Sequence, residues 1–96
     1  MSTYVAVIND NVWWLGLVQS VDKESKKVKV NFMIPKANNV FSWPPDSKPQ
    51  RDELDLKEIL CVIGATPILV NQRGHYKFPV EETKRIETLM RSVLND

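Results

Sequence analysis

The stretch Val12–Met33, VWWLGLVQSVDKESKKVKVNFM, constrains the fold more than any other part of the chain. From Trp13 its side chains alternate. Trp13, Leu15, Leu17 and Val21 point one way, with Gln19 breaking the pattern, while Trp14, Gly16, Val18 and Ser20 point the other. A period of two is the signature of a strand. The run Lys27–Phe32 alternates more cleanly, with Val28, Val30 and Phe32 toward a core and Lys27, Lys29 and Asn31 toward water. Between them, Asp22-Lys23-Glu24-Ser25-Lys26 is polar throughout and suits an exposed turn. Two long strands joined this way form a hairpin. A glycine in mid-strand, Gly16, marks a bend or a close backbone approach. A long, bent hairpin is what a small barrel requires.

Length and charge narrow the classes of function. With 96 residues the chain makes one domain with one compact core and little room for a deep cleft. A net charge of +1 supplies no global field toward nucleic acid or an anionic membrane. The one cysteine, Cys61, cannot form an internal disulfide, which points to a reducing, intracellular compartment. No apolar run approaches the ~20 residues of a membrane span. The start, MSTYVAVIND, lacks the basic and long apolar regions of a signal peptide, so no membrane association is expected.

Around the hairpin the chain reads as short strands. Tyr4–Ile8 is a strand closed by the turn Asn9-Asp10-Asn11. The segment 34–39 is expected as a loop, because Pro35 stops a ladder and the paired asparagines suit positive φ. Val40–Trp43 is a fourth strand ended by Pro44-Pro45, and Asp46–Asp52 an exposed loop. Leu54–Ile63 opens ambiguously, on what reads as a helical turn, and closes with a buried fifth strand over Ile59–Ile63. Ile68-Leu69-Val70 is a further extended piece, Asn71–Gly74 a turn, and Tyr76 and Phe78 alternate with Lys77. From about Pro79 the period becomes helical. Ile86, Leu89, Met90 and Val93 form an apolar stripe, with acidic residues early, where the helix dipole favours them. The stripe suits docking on the domain's own strands, or a partner or dimerisation helix through Ile86, Leu89, Met90 and Val93.

Catalytic chemistry finds little support. Cys61 sits in an apolar run, the setting of a structural cysteine, so a pair with His75 is a weak nucleophile–base candidate. One histidine and one cysteine do not make a zinc site, and Asp46, Asp52 and Asp55 lack metal-loop spacing. Three scattered glycines form no phosphate loop. No enzyme activity, metal or other cofactor is expected.

The residues WWLGLVQSVDKESKKVKVNFM, with Phe41-Ser42-Trp43-Pro44 and Ile59-Leu60 after them, resemble the Tudor and chromo-like group of SH3-like barrels. With Arg73-Gly74 and Tyr76, the pattern is similar to small barrel domains of transposon-derived and chromatin-associated proteins. The resemblance implies a non-catalytic module that reads methylated lysine or arginine through an aromatic cage, because ring faces hold a weakly hydrated cation. Carried over by position, Trp14 and Phe32 match cage aromatics, and Phe41 or Trp43 would supply a third wall. The family's carboxylate after the third strand is replaced here by Met33-Ile34-Pro35. Higher methylation states are therefore the expected ligands.

The sequence thus predicts a mainly β fold. It comprises a five-stranded SH3-like barrel over residues 1–66, an extended connector over 67–79 packing on it, and a C-terminal helix over 80–96. The ligand-binding candidates are Trp14, Phe32, Phe41 and Trp43, facing a protein or peptide such as a histone tail in a nuclear, chromatin setting. Nucleic acid is the second choice. It would use Lys23, Lys26, Lys27 and Lys29, with Lys36 nearby, Arg51 across the barrel and Trp14 or Trp43 between them. The oligomeric state is left open.

Overall fold

The computed structural model describes residues 3–37, 39–45 and 50–94. Among the described residues the fold is mainly β, with nine strands in two antiparallel sheets and one C-terminal helix. The strands are β1 (Tyr4–Asn9), β2 (Val12–Asp22), β3 (Lys27–Phe32), β4 (Ile34–Ala37), β5 (Val40–Ser42), β6 (Arg51–Asp55), β7 (Ile59–Ile63), β8 (Ile68–Leu69) and β9 (His75–Lys77). A 3₁₀ turn, Leu56–Glu58, separates β6 from β7, and α1 spans Val80–Leu94.

The first sheet has the order β6-β3-β2-β1-β7. β1 and β2 meet through a two-residue turn, since Asn9 pairs with Val12 and both Asp10 and Asn11 have positive φ. Such a turn twists in the same sense as its strands. The β2–β3 turn is held by the Asp22 carboxylate, which accepts the backbone N–H groups of Glu24 and Ser25. Within that hairpin the register shifts between Val18, opposite Val30, and Ser20, opposite Lys29. Gln19 is the extra residue of a β-bulge, which accounts for the break in alternation at that position and bends the strand.

Gly16 explains the rest of the bend. A Cβ placed there would overlap the Val30 side chain and crowd the Asn31 carbonyl and the Phe32 ring. The hairpin closes tightly because this position carries no side chain. The 3₁₀ turn carries the chain from one edge of the sheet to the other in three residues. At roughly 2 Å per residue that is about 6 Å, so the sheet must coil until its edges nearly meet. Among the described residues β6 and β7 are not paired with each other. The hydrogen bonding is that of an open five-stranded sheet with a second sheet beside it.

The five-stranded sheet is apolar on both faces. One face gathers Val5, Val7, Val28 and Val30, with Phe32, Leu54 and Ile59 against them. The other gathers Ala6, Leu15 and Ile63, covered by Met33, Phe41 and Phe78 and by Ile86 of α1. The covering layer is the second sheet, β4-β5-β9-β8. Here the structure departs from the sequence reading. Ile34–Ala37 is a strand, not a loop, because β4 is the edge of its sheet, where proline is tolerated. Arg51 and Asp52, expected in a loop, begin β6. The start of that expected loop, residues 46–49, lies outside the described residues, as does Asn38. The residues expected as a connector supply β8 and β9.

Helix α1 is pinned at its first turns. The Thr83 hydroxyl lies 2.6 Å from Asn39 Oδ1 and 2.9 Å from the Val80 carbonyl. Arg85 donates to the Val62 carbonyl at 2.9 Å and to the Glu82 carboxylate at 2.7 Å. Of the predicted stripe, Ile86 is buried on the domain's own core, Leu89 and Met90 are half-buried, and Val93 is 54% exposed.

Two expectations follow for stability. Gly16→Ala should cost about 1–3 kcal/mol by overpacking against Val30. In denaturant titrations much of that loss should return in the Gly16→Ala/Val30→Ala double variant, as a coupled pair requires. Ile86→Ala should cost about 2–5 kcal/mol, whereas Val93→Ala should change the unfolding free energy by less than about 0.5 kcal/mol.

Candidate functional site

The two tryptophans of β2 part company across the sheet. Trp13 packs toward the second sheet, its ring centroid 5.9 Å from that of Phe41. Trp14 lies directly opposite Val7, and Gly16 opposite both Val5 and Phe32. Residues facing each other in a ladder share a face. Trp14 and Phe32 therefore stand at the rim of the valine-lined face, and Trp14 remains 39% exposed.

At that rim is a cavity of about 640 Å³. Trp14, Phe32, Val7 and Leu54 give it apolar walls, and Arg51, Asp52 and Glu58 add charged groups. Its volume falls in the range of pockets that hold a side chain or a small ligand. The carboxylates arrive from β6 and the 3₁₀ turn, which the pairing of Val30 with Asp52 brings alongside β3. Asp52 Oδ1 accepts the Glu53 backbone N–H at 2.8 Å, which fixes the start of β6. The opening thus joins aromatic and aliphatic side chains to two carboxylates and the Arg51 guanidinium. The place after β3 holds Met33-Ile34-Pro35 and no carboxylate, but β6 and the 3₁₀ turn bring Asp52 and Glu58 into the lining of this cavity. The signal was present in Asp52-Glu53-Leu54-Asp55-Leu56, where Leu54 and Leu56 alternate with charges as a strand does.

The structure does not bring all four expected aromatics together. Phe41 is only 5% exposed and packs edge-on against Phe78, with centroids 5.8 Å apart. It is a core residue and does not line the cavity. Trp43 is half-buried against that same core and likewise does not line the cavity. Of the predicted surface, Trp14 and Phe32 remain.

The hairpin lysines are not a free cationic band. Lys27 Nζ lies 2.5 Å from Asp55 Oδ1, and Lys29 stands in register with Glu53. Lys23 and Lys26 are exposed in the turn that Asp22 organises, and Lys36 is exposed on β4. Cys61 is half-buried in β7, where burial pushes its thiol pKa up and keeps it protonated. His75 Nδ1 lies 3.0 Å from the Asn71 amide nitrogen, within a turn that Asn71 Oδ1 also caps. Among the described residues no three carboxylate, histidine or cysteine side chains gather to hold a metal, and no helix is long and apolar enough to cross a membrane. Comparison of the chain with family models, curated proteins and solved structures finds no match.

The Lys27–Asp55 pair sets an expected pH dependence. The hydrogen bond between them, then their charges, raises the Lys27 pKa and lowers that of Asp55. A depressed carboxylate stabilises the fold above its unfolded value, and this is lost as pH falls through the folded one. The raised lysine contributes below its unfolded value and loses that contribution as pH rises through the folded one. Lys27→Met should flatten the acid limb of a thermal melting profile between about pH 5 and pH 2. The change should be small, since both side chains remain substantially exposed.

Proposed function

We propose that the chain is a non-catalytic recognition module of the Tudor or chromo type. It takes a methylated lysine or arginine side chain of a protein ligand into the cavity between Trp14 and Phe32. The observation that carries this is the meeting of an exposed indole, a phenyl ring and two carboxylates, Asp52 and Glu58, around one opening. Such a site answers the chemistry of an alkylated cation, whose methyl groups suit ring faces and whose residual N–H suits a carboxylate.

What supports the barrel assignment is the strand order. β1, β2, β3 and β6 meander, and after one 3₁₀ turn β7 pairs with β1, so the sheet's two edges are joined by three residues. What supports the nuclear, chromatin setting is the likeness of the Trp13–Met33 hairpin to that group of domains. The two carboxylates shift the expected preference. Mono- and dimethyl-lysine retain an N–H that Asp52 or Glu58 can accept, so the lower methylation states are favoured over trimethyl-lysine.

An amide-resolved titration of the labelled protein with lysine peptides in each methylation state tests this. Shifts should centre on Trp14, Phe32 and Leu54. Trp14→Ala should weaken binding roughly two- to thirtyfold while the spectrum stays folded, since each ring contact contributes ~0.5–2 kcal/mol. Asp52→Asn should narrow the difference between di- and trimethyl-lysine. Shifts confined to Lys23–Lys29 on adding a DNA duplex, with silence toward every peptide, would replace this proposal with nucleic-acid binding.

A further inference from the structure

We propose that Asn71 and His75 form a pH-sensitive latch on the hairpin between β8 and β9. It is closed while the imidazole is neutral and opens when the ring takes a proton. Neither residue lines the Trp14–Phe32 cavity, and the device does not rest on the reading of that site.

The backbone of the turn orients the Asn71 side chain. Its Oδ1 accepts the Arg73 N–H at 2.9 Å and the His75 N–H at 3.3 Å. Turning the amide over would set its NH₂ group against those two donors, so the orientation is settled. The Asn71 Nδ2 then lies 3.0 Å from His75 Nδ1. An amide nitrogen only donates, so Nδ1 presents its lone pair and the ring carries its proton on Nε2. A protonated imidazole has hydrogens on both nitrogens. Nδ1–H would face the Asn71 N–H, donor against donor. Turning the ring over puts a C–H in that place and loses the bond as well. Turning the amide over gives up both backbone N–H groups. Each way of accommodating the proton breaks the latch.

The groups around the ring supply no counter-charge. His75 is half-buried and stands opposite Ser42 of β5. On the β8 side its carbonyl accepts the Val70 N–H at 2.8 Å. Neither facing residue titrates. The charged neighbours along the chain are Arg73, in the turn, and Lys77, two residues on and so on the same face of β9. Both are cations. Among the described residues the ion pairs are Lys27–Asp55 and Arg85–Glu82, and neither reaches the ring.

The latch holds an element that has little else. β8 is only Ile68–Leu69, and among the described residues it pairs with β9 alone. Gly74, at φ +79°, gives the turn a backbone with many other conformations open to it, so the bonds of the Asn71 side chain are what select this one. An imidazole changes charge between about pH 5 and pH 8. Over that range the edge of the second sheet loosens as acidity rises, and the five-stranded sheet stays closed.

The test follows the imidazole nitrogens and the amide protection factors of residues 68–77 by NMR from about pH 8 to about pH 5. Protection is taken relative to an unstructured peptide at the same pH. At the upper end the nitrogen shifts should place the ring proton on Nε2. As the ring takes its second proton, protection of the Arg73 and His75 N–H groups should fall about two- to tenfold, the range of one lost hydrogen bond. That of Val5 and Val28 should not change. Asn71→Asp supplies a carboxylate, which accepts from the backbone N–H groups and from the protonated ring alike, so its turn should gain protection as pH falls. His75→Gln should show level protection throughout. The measurements on the unaltered chain stand if a variant fails to fold. A neutral ring with its proton on Nδ1, level protection while His75 titrates, or an equal fall in Asn71→Asp would overturn the proposal. So would a loss shared by Val5 and Val28, which would mark opening of the whole domain.

Discussion

The whole arrangement depends on how closely β2 can lie against β3. At Gly16 the backbone passes so near Val30 and Phe32 that even a methyl group would collide. Together with the bulge at Gln19, that approach coils the five-stranded sheet tightly enough for a three-residue turn to bridge its edges. A flatter sheet would leave β7 unable to reach β1. One missing side chain thus decides whether the sheet has an inside.

Coiling gives the sheet two unlike faces. The inner face is small and built from β-branched residues, which pack well on a pleated surface. At its rim Trp14 stands opposite Val7, and charged groups of β6 line the opening there. The outer face is covered by the second sheet and α1, where aromatic rings meet edge to face. This division also segregates charge. Carboxylates collect along β6 and the 3₁₀ turn, while the second sheet carries cations.

The parts legible in the sequence were those whose signal is local. The alternation of Lys27–Phe32, the pattern break at Gln19, the strand Ile59–Ile63 and the helical period after Pro79 all appear with nearly those bounds, although only Ile63 of the strand expected to be buried is so and Val62 is exposed. The opposite orientations of Trp13 and Trp14 were equally readable, since they follow from period two alone. What escaped was set by pairing between distant segments. Ile34–Ala37 is a strand because β5 lies beside it, which overrides the breaking effect of Pro35. Phe41 is core because Trp13 and Phe78 converge on it from other strands. Asp52 and Glu58 reach the cavity through a register that no single segment encodes. Local pattern fixes which way a side chain points. Only the topology fixes what it points at.

The strand order has a further consequence, for the time the chain spends unfinished. β1 lies inside the first sheet, yet only one of its neighbours, β2, follows it directly. Its other neighbour, β7, pairs Ile63 with Tyr4 across more than half of the chain. The two local hairpins can form early, but the loop closed by this last pairing is long, and such non-local closure places folding nearer ~milliseconds to seconds than microseconds. Until it closes, the apolar run Val5-Ala6-Val7 presents an unpaired edge. The segment buried most completely in the finished molecule is therefore the one most open to mispairing while the chain is still being made.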